Sequence, residues 1–181
     1  ALAGFHEKLR PTLPMFGYDG VLKKLKAYRQ KFERGGNAEV RETAKFLIEN
    51  FPRHFLSSDL PKRVIHTDPK ISNFVFRSRG AITMIDWDTV QRLSPLYDLG
   101  DAIRSFCAGR EDDRRNKFDA SKYRVFLEGY FTGSRNYLSP RERRFIPQAT
   151  GLVTLGLATR FLNDYIDDSY FGWDPKRYKS R

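Results

Sequence analysis

The feature that most constrains the fold is a pair of short apolar strands with acidic and amide side chains at one end. Residues 74–76 (FVF) and 82–85 (ITMI) have strand composition, and the glycine-bearing segment between them is typical of a hairpin turn. Asn73 directly precedes the first strand and Asp86 directly follows the second, so a hairpin brings both to the same end. Asp68 lies in the loop that enters the hairpin. The sequence therefore predicts that three oxygen-bearing side chains converge there.

Such a set of side chains suits phosphoryl transfer. That reaction needs an in-line geometry, divalent cations that neutralise phosphate oxygens, and an acceptor for the proton of the attacking hydroxyl. Mg²⁺ prefers octahedral oxygen coordination and takes one or two protein carboxylates together with phosphate and water. The step from Asp68 to Asn73 matches the kinase signature H-R-D-x-x-x-x-N, with Thr67 in place of the arginine. Residues 86–88 (DWD) stand where D-F-G would be.

At these residues the chain resembles the aminoglycoside phosphotransferase and choline kinase superfamily, relatives of protein kinases that phosphorylate small molecules. The segments HTDPKISNFVF, IDWDTV and LYDLGDAIR are most similar to the N-acetylhexosamine 1-kinase branch, which phosphorylates the anomeric hydroxyl of an amino sugar. The resemblance extends to residues 158–165 (ATRFLNDY). It implies a mainly α fold with a small β-hairpin, the C-terminal lobe of a protein-kinase-like (α+β) fold.

The resemblance also implies roles for individual residues. Asp68 would be the catalytic base, or the group that orients the acceptor hydroxyl, while Asn73 and Asp86 would hold Mg²⁺ and thereby the ATP co-substrate. His66 would brace the catalytic loop, and Asp98 would accept backbone N–H bonds from that loop. The acceptor would be a hydroxyl of a sugar, an amino sugar or a related small alcohol.

Further substrate-binding candidates follow from position and chemistry. They are Asp88, Asp101, Arg104, Arg160 and Asp164, with Trp173 in addition. Asp88 and Asp101 are equally compatible with helix capping. Arg160 and Asp164, four residues apart on one helix face, are also compatible with a local ion pair.

Composition excludes several classes of protein. A chain of 181 residues with 40% hydrophobic and 14% aromatic residues is long and apolar enough for a core, and residues 1–181 are expected to form a single domain. No run of 18 apolar residues predicts a membrane span. The one cysteine, Cys107, excludes an internal disulfide and favours a cytoplasmic location. The net charge of +11 is compatible with nucleic acid binding, but the basic residues are spread along helices, so nucleic acid is not the expected partner.

The segment that precedes His66 lacks a nucleotide lobe. It contains no G-x-G-x-x-G and no Val-Ala-Ile-Lys-like strand, and it is helical in pattern. The chain is therefore expected to be the C-terminal catalytic and acceptor-binding lobe, with the N-terminal lobe elsewhere in a longer parent, and to be inactive by itself. The alternatives are a catalytically silent, kinase-like binding or scaffold module and a basic nucleic-acid-binding helical domain.

Periodicity and end signals predict the helices. They are expected at residues 21–34, 38–50 with Asn37 as N-cap, 98 or 99 to 107, 121–132 with Ser121 as cap, from Ser139 with a capping box to Glu142, and 148–170. Residues 1–6 are expected to be the end of a further helix.

Overall fold

A computed structural model describes residues 17–35, 37–77, 80–109, 115–134, 137–168 and 176. The helix predicted at residues 1–6 and the candidate Trp173 lie outside these residues. The described chain divides into two compact units, the first within Leu56–Val153 and the second within Met15–Phe55 and Thr154–Arg181. Two such units can belong to one domain, so the single-domain interpretation stays a prediction.

The described elements, in chain order, are mostly helices. They are α1 (Tyr18–Gly35), α2 (Ala38–Asn50), β1 (Arg63–Ile65), β2 (Phe74–Arg77), β3 (Gly80–Met84), β4 (Gln91–Leu93), α3 (Leu96–Phe106), α4 (Ala120–Ser134), α5 (Pro140–Arg144) and α6 (Ile146–Asp167). Short 3₁₀ turns cover Phe51–His54, Ile71–Asn73 and Trp87–Thr89. The prediction of a mainly α fold with a small hairpin is confirmed.

Two small antiparallel sheets lie in the first unit. β2 and β3 form the predicted hairpin, with Phe74 opposite Met84 and a register shift between Val75 and Phe76. β1 pairs with β4, and Ile65 lies opposite Gln91. This second sheet was not predicted, because strands of three residues carry too little periodicity to be recognised.

Helix ends follow the chemistry of their caps. Asn37 caps α2 by accepting from the backbone N–H of Val40, and Ser139 and Glu142 form the predicted capping box. The assignment of Ser121 as a cap was wrong, since the Asp119 carboxylate accepts from the N–H groups of residues 121 and 122. α3 begins at Leu96, earlier than predicted.

The core of the first unit is built around α3. Its buried cluster consists of Leu60, Leu96, Leu99, Ile103, Cys107, Leu138, Ile146 and Ala149. Gly100 lies on α3 where α6 approaches, and a Cβ at this position would lie 2.6 Å from the carbonyl oxygen of Ala149. α3 and α6 therefore pack at backbone distance, which only glycine permits here.

A buried ion pair joins β1 to the start of α5. The Glu142 side chain is fully buried, and Arg63 donates to both of its oxygens at 2.5 and 3.2 Å. Glu142 also accepts from the N–H and hydroxyl of Ser139. The Arg63 hydrogen bond lowers the pKa of Glu142 from 4.5 to about 2, although burial opposes this shift. Glu142 is therefore a charged group in the folded state down to low pH.

The second unit has its own apolar interior. Val21, Leu22, Leu25 and Phe32 of α1 are buried, and so are Ala44, Leu47, Phe51 and Leu162. Asp167 of α6 accepts a hydrogen bond from the Tyr28 hydroxyl and pairs with Lys24. Nowhere in the described parts of the chain is a helix both long enough and apolar enough to cross a bilayer.

We expect Gly100→Ala to lower the free energy of unfolding by about 2 kcal/mol, because overpacking at a rigid helix contact forces backbone shifts. Gly129→Ala is the matched control, since α4 leaves nothing within 4 Å of a Cβ there. In that open helical position alanine should stabilise by about 0.5–1 kcal/mol. Urea denaturation of both variants measures the difference, and equal stabilities would contradict the close helix contact.

Stability should depend on pH through Glu142. Because folding lowers the pKa of this group, its contribution is complete above the unfolded value of 4.5 and is lost as pH falls toward about 2. We expect the wild type to lose about 2 kcal/mol more than Glu142→Gln between pH 6 and 2.5. Urea denaturation across this range tests the expectation. Parallel curves for the two proteins would show that Arg63 and Glu142 do not couple to folding.

Candidate active site

One face of α3 holds the loop of residues 66–73. The Asp98 carboxylate accepts from the backbone N–H groups of His66 and Thr67, both at 2.7 Å. Two turns further along the same helix, the Ser105 hydroxyl accepts from the N–H of Ile71 at 2.9 Å. Residues seven positions apart lie on the same side of a helix. The beginning and the end of the loop are therefore fixed to a single rigid element.

Burial and hydrogen bonding act on Asp98 in opposite directions. Burial raises the pKa of the carboxyl group, whereas the two backbone N–H donors stabilise its charged form. The predicted contact of Asp98 with the loop backbone is present in the structure.

Thr67 adopts a backbone conformation that a β-branched residue rarely takes. Its φ is 71°, in the left-handed region. Its hydroxyl donates to the carbonyl of Thr89 at 2.7 Å, and the Thr89 hydroxyl donates to the carbonyl of His66 at 3.0 Å. Together with Asp98, this reciprocal pair offsets a backbone strain of about 1–3 kcal/mol. The turn at Thr67 is thus imposed by its neighbours.

His66 connects the loop to the end of the hairpin. It is buried, its Nε2 lies 2.9 Å from the carbonyl oxygen of Ile85, and its Nδ1 accepts from the N–H of Asp68 at 3.3 Å. A neutral ring with the proton on Nε2 satisfies both contacts. The ring also packs against Trp87, with the centroids 4.7 Å apart. The imidazole therefore touches the backbone beside both Asp68 and Asp86, as a bracing residue would.

The structure brings together the three residues that the hairpin argument singled out. Asn73 is buried, and its Nδ2 lies 2.8 Å from the Asp68 carbonyl oxygen, 3.0 Å from Asp68 Oδ2 and 3.3 Å from Asp86 Oδ2. The carbonyl of Asn73 also accepts from the N–H of Ile85 at 3.0 Å. Asp86 has a left-handed φ of 70°. The amide of Asn73 thus bridges the two carboxylates.

Lys70 belongs to this cluster, and the sequence reasoning missed it. Its ammonium lies 2.5 Å from Asp68 Oδ2. Burial alone would lower the pKa of Lys70, but the hydrogen bond to Asp68 and the charges of Asp68, Asp86 and Asp101 together raise it. The available signal was a basic residue two positions after Asp68 within a loop of otherwise uncharged residues.

The remaining candidates fall into two groups. Asp101 and Arg104 form an ion pair on α3, at 2.8 and 2.9 Å, with side chains only 8% and 11% exposed. The negative charge of Asp101 also raises the pKa of Lys70, so this ion pair lies near the carboxylate cluster. Asp88 is exposed in the 3₁₀ turn after Asp86.

Arg160 and Asp164 lie in the second unit. There the Arg160 guanidinium carbon is 5.9 Å from the centroid of the Tyr18 ring. Their proposed contact with substrate stays a prediction.

The donor set is compatible with a hard divalent cation. Among the described residues, no group of three or more His, Cys, Asp or Glu side chains could hold a metal. Asn73 carries an amide oxygen and Asp86 a carboxylate, with Asp68 adjacent, although the Asn73 atom that faces the two carboxylates here is Nδ2. Mg²⁺ commonly takes one or two carboxylates and completes its shell with phosphate and water. These oxygen ligands therefore fit Mg²⁺ and do not fit a structural zinc, which prefers sulfur and imidazole.

Comparisons with known proteins identify the family of this chain. A model described as the phosphotransferase enzyme family matches residues 1–138, which include the loop, the hairpin and α3. The chain belongs to the phosphotransferase enzyme family. The resemblance to aminoglycoside phosphotransferases at the superfamily level is thereby confirmed. A homoserine kinase of Rhizobium etli is 27% identical over 158 residues, or 87% of this chain and 44% of that protein. This phosphotransferase-family chain thus spans less than half the length of that relative.

We expect Asp98→Ala to destabilise the protein by about 3 kcal/mol, because two N–H groups lose a charged acceptor. Asp98→Asn retains one acceptor oxygen, so its stability should lie between those of the wild type and Asp98→Ala. Asp59→Ala is the control, since that carboxylate is exposed. Amide hydrogen exchange at His66 and Thr67 reports directly on the loop. Unchanged exchange in Asp98→Ala would contradict the anchoring role.

Proposed function

We propose that this chain is the catalytic and acceptor-binding lobe of an ATP-dependent small-molecule kinase that phosphorylates an alcohol hydroxyl. The observation that supports this most is the position of the Asn73 amide between the carboxylates of Asp68 and Asp86, within 3.3 Å of both. Family membership supports the class of reaction. The buried ion pair of Asp101 and Arg104 gives the same region a rigid polar boundary.

In the proposed reaction Asp68 orients the acceptor hydroxyl and receives its proton. Both the Lys70 ammonium and the Asn73 amide contact Asp68 Oδ2, so Oδ1 is the oxygen proposed to face the acceptor. The hydroxyl oxygen forms a bond to the γ-phosphorus, the bond from that phosphorus to the bridging oxygen breaks, and ADP leaves. Asn73 and Asp86 would hold Mg²⁺, which supplies charge neutralisation on the phosphate oxygens. His66 and Asp98 keep the loop in position throughout.

The proposal also assigns nucleotide binding to an N-terminal lobe of the parent protein. Several apolar side chains beside the cluster are about half exposed: Ile71 at 48%, Ile85 at 46% and Trp87 at 51%. Large exposed apolar groups next to a polar cluster mark surfaces that another body covers. We propose that the N-terminal lobe of the parent, with bound ATP, covers them. The 44% coverage of the homoserine kinase is compatible with this division.

Two acceptor classes are proposed for testing. The motifs of residues 66–76, 85–90 and 96–104 resemble the N-acetylhexosamine 1-kinase branch, which favours a sugar or amino sugar. The homoserine kinase of R. etli favours a hydroxy amino acid. Both have a primary or anomeric hydroxyl and a polar nitrogen substituent, so a rigid ion pair such as Asp101–Arg104 suits either. The reducing cytoplasm is the proposed location.

The experiment that tests this function is an ADP-release assay with Mg²⁺, ATP and a panel of acceptors. The panel contains sugars, N-acetylhexosamines, homoserine, aminoglycosides and choline, and both the 181-residue chain and its full-length parent are assayed. We expect acceptor-dependent turnover by the parent and little or none by the chain alone. Steady turnover by the isolated chain would contradict the proposed division into lobes.

Asp68→Asn should lower kcat of the parent by about 10²–10⁴-fold, because the acceptor proton loses its base. Asp59→Asn is the matched control, an exposed carboxylate in the same unit that should leave kcat unchanged. Turnover that survives Asp68→Asn would overturn the assignment of the base. No turnover with any acceptor, and no binding of ATP or Mg²⁺, would favour the silent scaffold module instead.

A further inference from the structure

The positive charge of Lys70 lies beside the carboxylate cluster to which a metal ion would bind. It lies 2.5 Å from Asp68 Oδ2, the same oxygen that contacts the Asn73 amide. Asn73 in turn contacts Asp86 Oδ2 at 3.3 Å. The positive charge of Lys70 is thus one hydrogen-bonding step away from the proposed metal ligands.

The ion pair of Lys70 and Asp68 is partly exposed, so its contribution to stability is small and a competing cation can disrupt it. The Lys70 side chain is 38% exposed and the Asp68 side chain 31%. A half-exposed ion pair contributes little net stability, and the flexible lysine can leave it without a large penalty. Lys70 is therefore attracted to the carboxylates, but it can move away from them at low cost.

Electrostatics makes the two cations competitors. Lys70 contacts Asp68 directly, and the negative charges of Asp68, Asp86 and Asp101 all favour its charged form by raising its pKa. A divalent cation held by Asn73 and Asp86 would add positive charge beside Asp68, the partner of that ammonium. Like charges repel one another in a partly desolvated site. Binding of the metal should therefore weaken the ion pair between Lys70 and Asp68, and the ion pair should weaken binding of the metal.

We propose that Lys70 is a tethered counter-ion, which neutralises the carboxylate cluster in the metal-free protein and releases Asp68 when a divalent cation is bound. This inference rests on the proposed function, because it takes Asn73 and Asp86 as the metal ligands. Its consequence is that Lys70 neutralises the charge of Asp68 through Oδ2 until the metal arrives, while Oδ1 stays open to the acceptor.

Mn²⁺ binding, followed by electron paramagnetic resonance of the free ion, tests the proposal without nucleotide or turnover. We expect Lys70→Met to bind Mn²⁺ about fivefold more tightly than the wild type, since no ion pair must be broken. Lys62→Met is the matched control: it removes the same charge from an exposed lysine nearby, and it should change the affinity by much less. Asp86→Asn should weaken binding in every background.

Thermal unfolding in EDTA provides a second measurement. Without metal, Lys70→Met leaves the carboxylates uncompensated, so its Tm should lie below that of Lys62→Met. Saturating Mn²⁺ should close this gap.

The outcomes separate the inference from the proposed function. Equal or weaker Mn²⁺ binding by Lys70→Met, relative to Lys62→Met, would overturn the counter-ion role while leaving the metal site of the proposed function intact. Mn²⁺ binding that is absent, or that is indifferent to Asp86→Asn, would overturn both.

Discussion

The contact between the Asp98 carboxylate and two backbone N–H groups is the interaction on which the site depends. One side chain of α3 satisfies His66 and Thr67 at the point where Thr67 takes its left-handed turn. The helix is itself immobilised, because Gly100 allows it to pack against the backbone of α6. Because α3 is held by this packing contact, its Asp98 carboxylate fixes the conformation of the loop. Sites held by elements rather than by loops alone keep their geometry within the small tolerances that catalysis requires.

From that anchor the remaining contacts propagate in sequence. His66 reaches the carbonyl next to Asp86, Asn73 reaches the two carboxylates, and the hairpin returns the chain so that Ile85 bonds to the carbonyl of Asn73. Each of these groups touches both the loop and the hairpin end. Thr67 and Asp86, two of the three described non-glycine residues with positive φ, lie at the two places where the chain turns into the site. Backbone strain is concentrated where the polar groups converge, which is typical of functional sites.

The sequence predicted this convergence because a hairpin is a local structure whose ends must meet. Asn73 and Asp86 could be placed from the turn between two strands, and the capping box at Ser139 could be read from side-chain chemistry alone. Lys70 could not, because whether a flexible side chain turns toward Asp68 or toward solvent depends on charges that arrive from distant parts of the chain. The β1–β4 pairing was missed for a related reason: each strand is too short to be stable without the other. Ser121 failed as a cap because Asp119, two residues earlier, is the better acceptor.

The site places acidic side chains in a chain whose net charge is +11, and this contrast bears on the kind of ligand that fits it. A strongly basic protein attracts anions over its whole surface. Asp68, Asp86 and Asp101 bring negative charge to the site, and all three raise the pKa of Lys70. A polyphosphate complexed with a divalent cation carries both signs of charge, so it complements a basic surface and an acidic cluster at the same time. In the proposed function, the acidic cluster would attract the cation of such a ligand, and Lys70 would neutralise part of the cluster's negative charge when that ligand is absent.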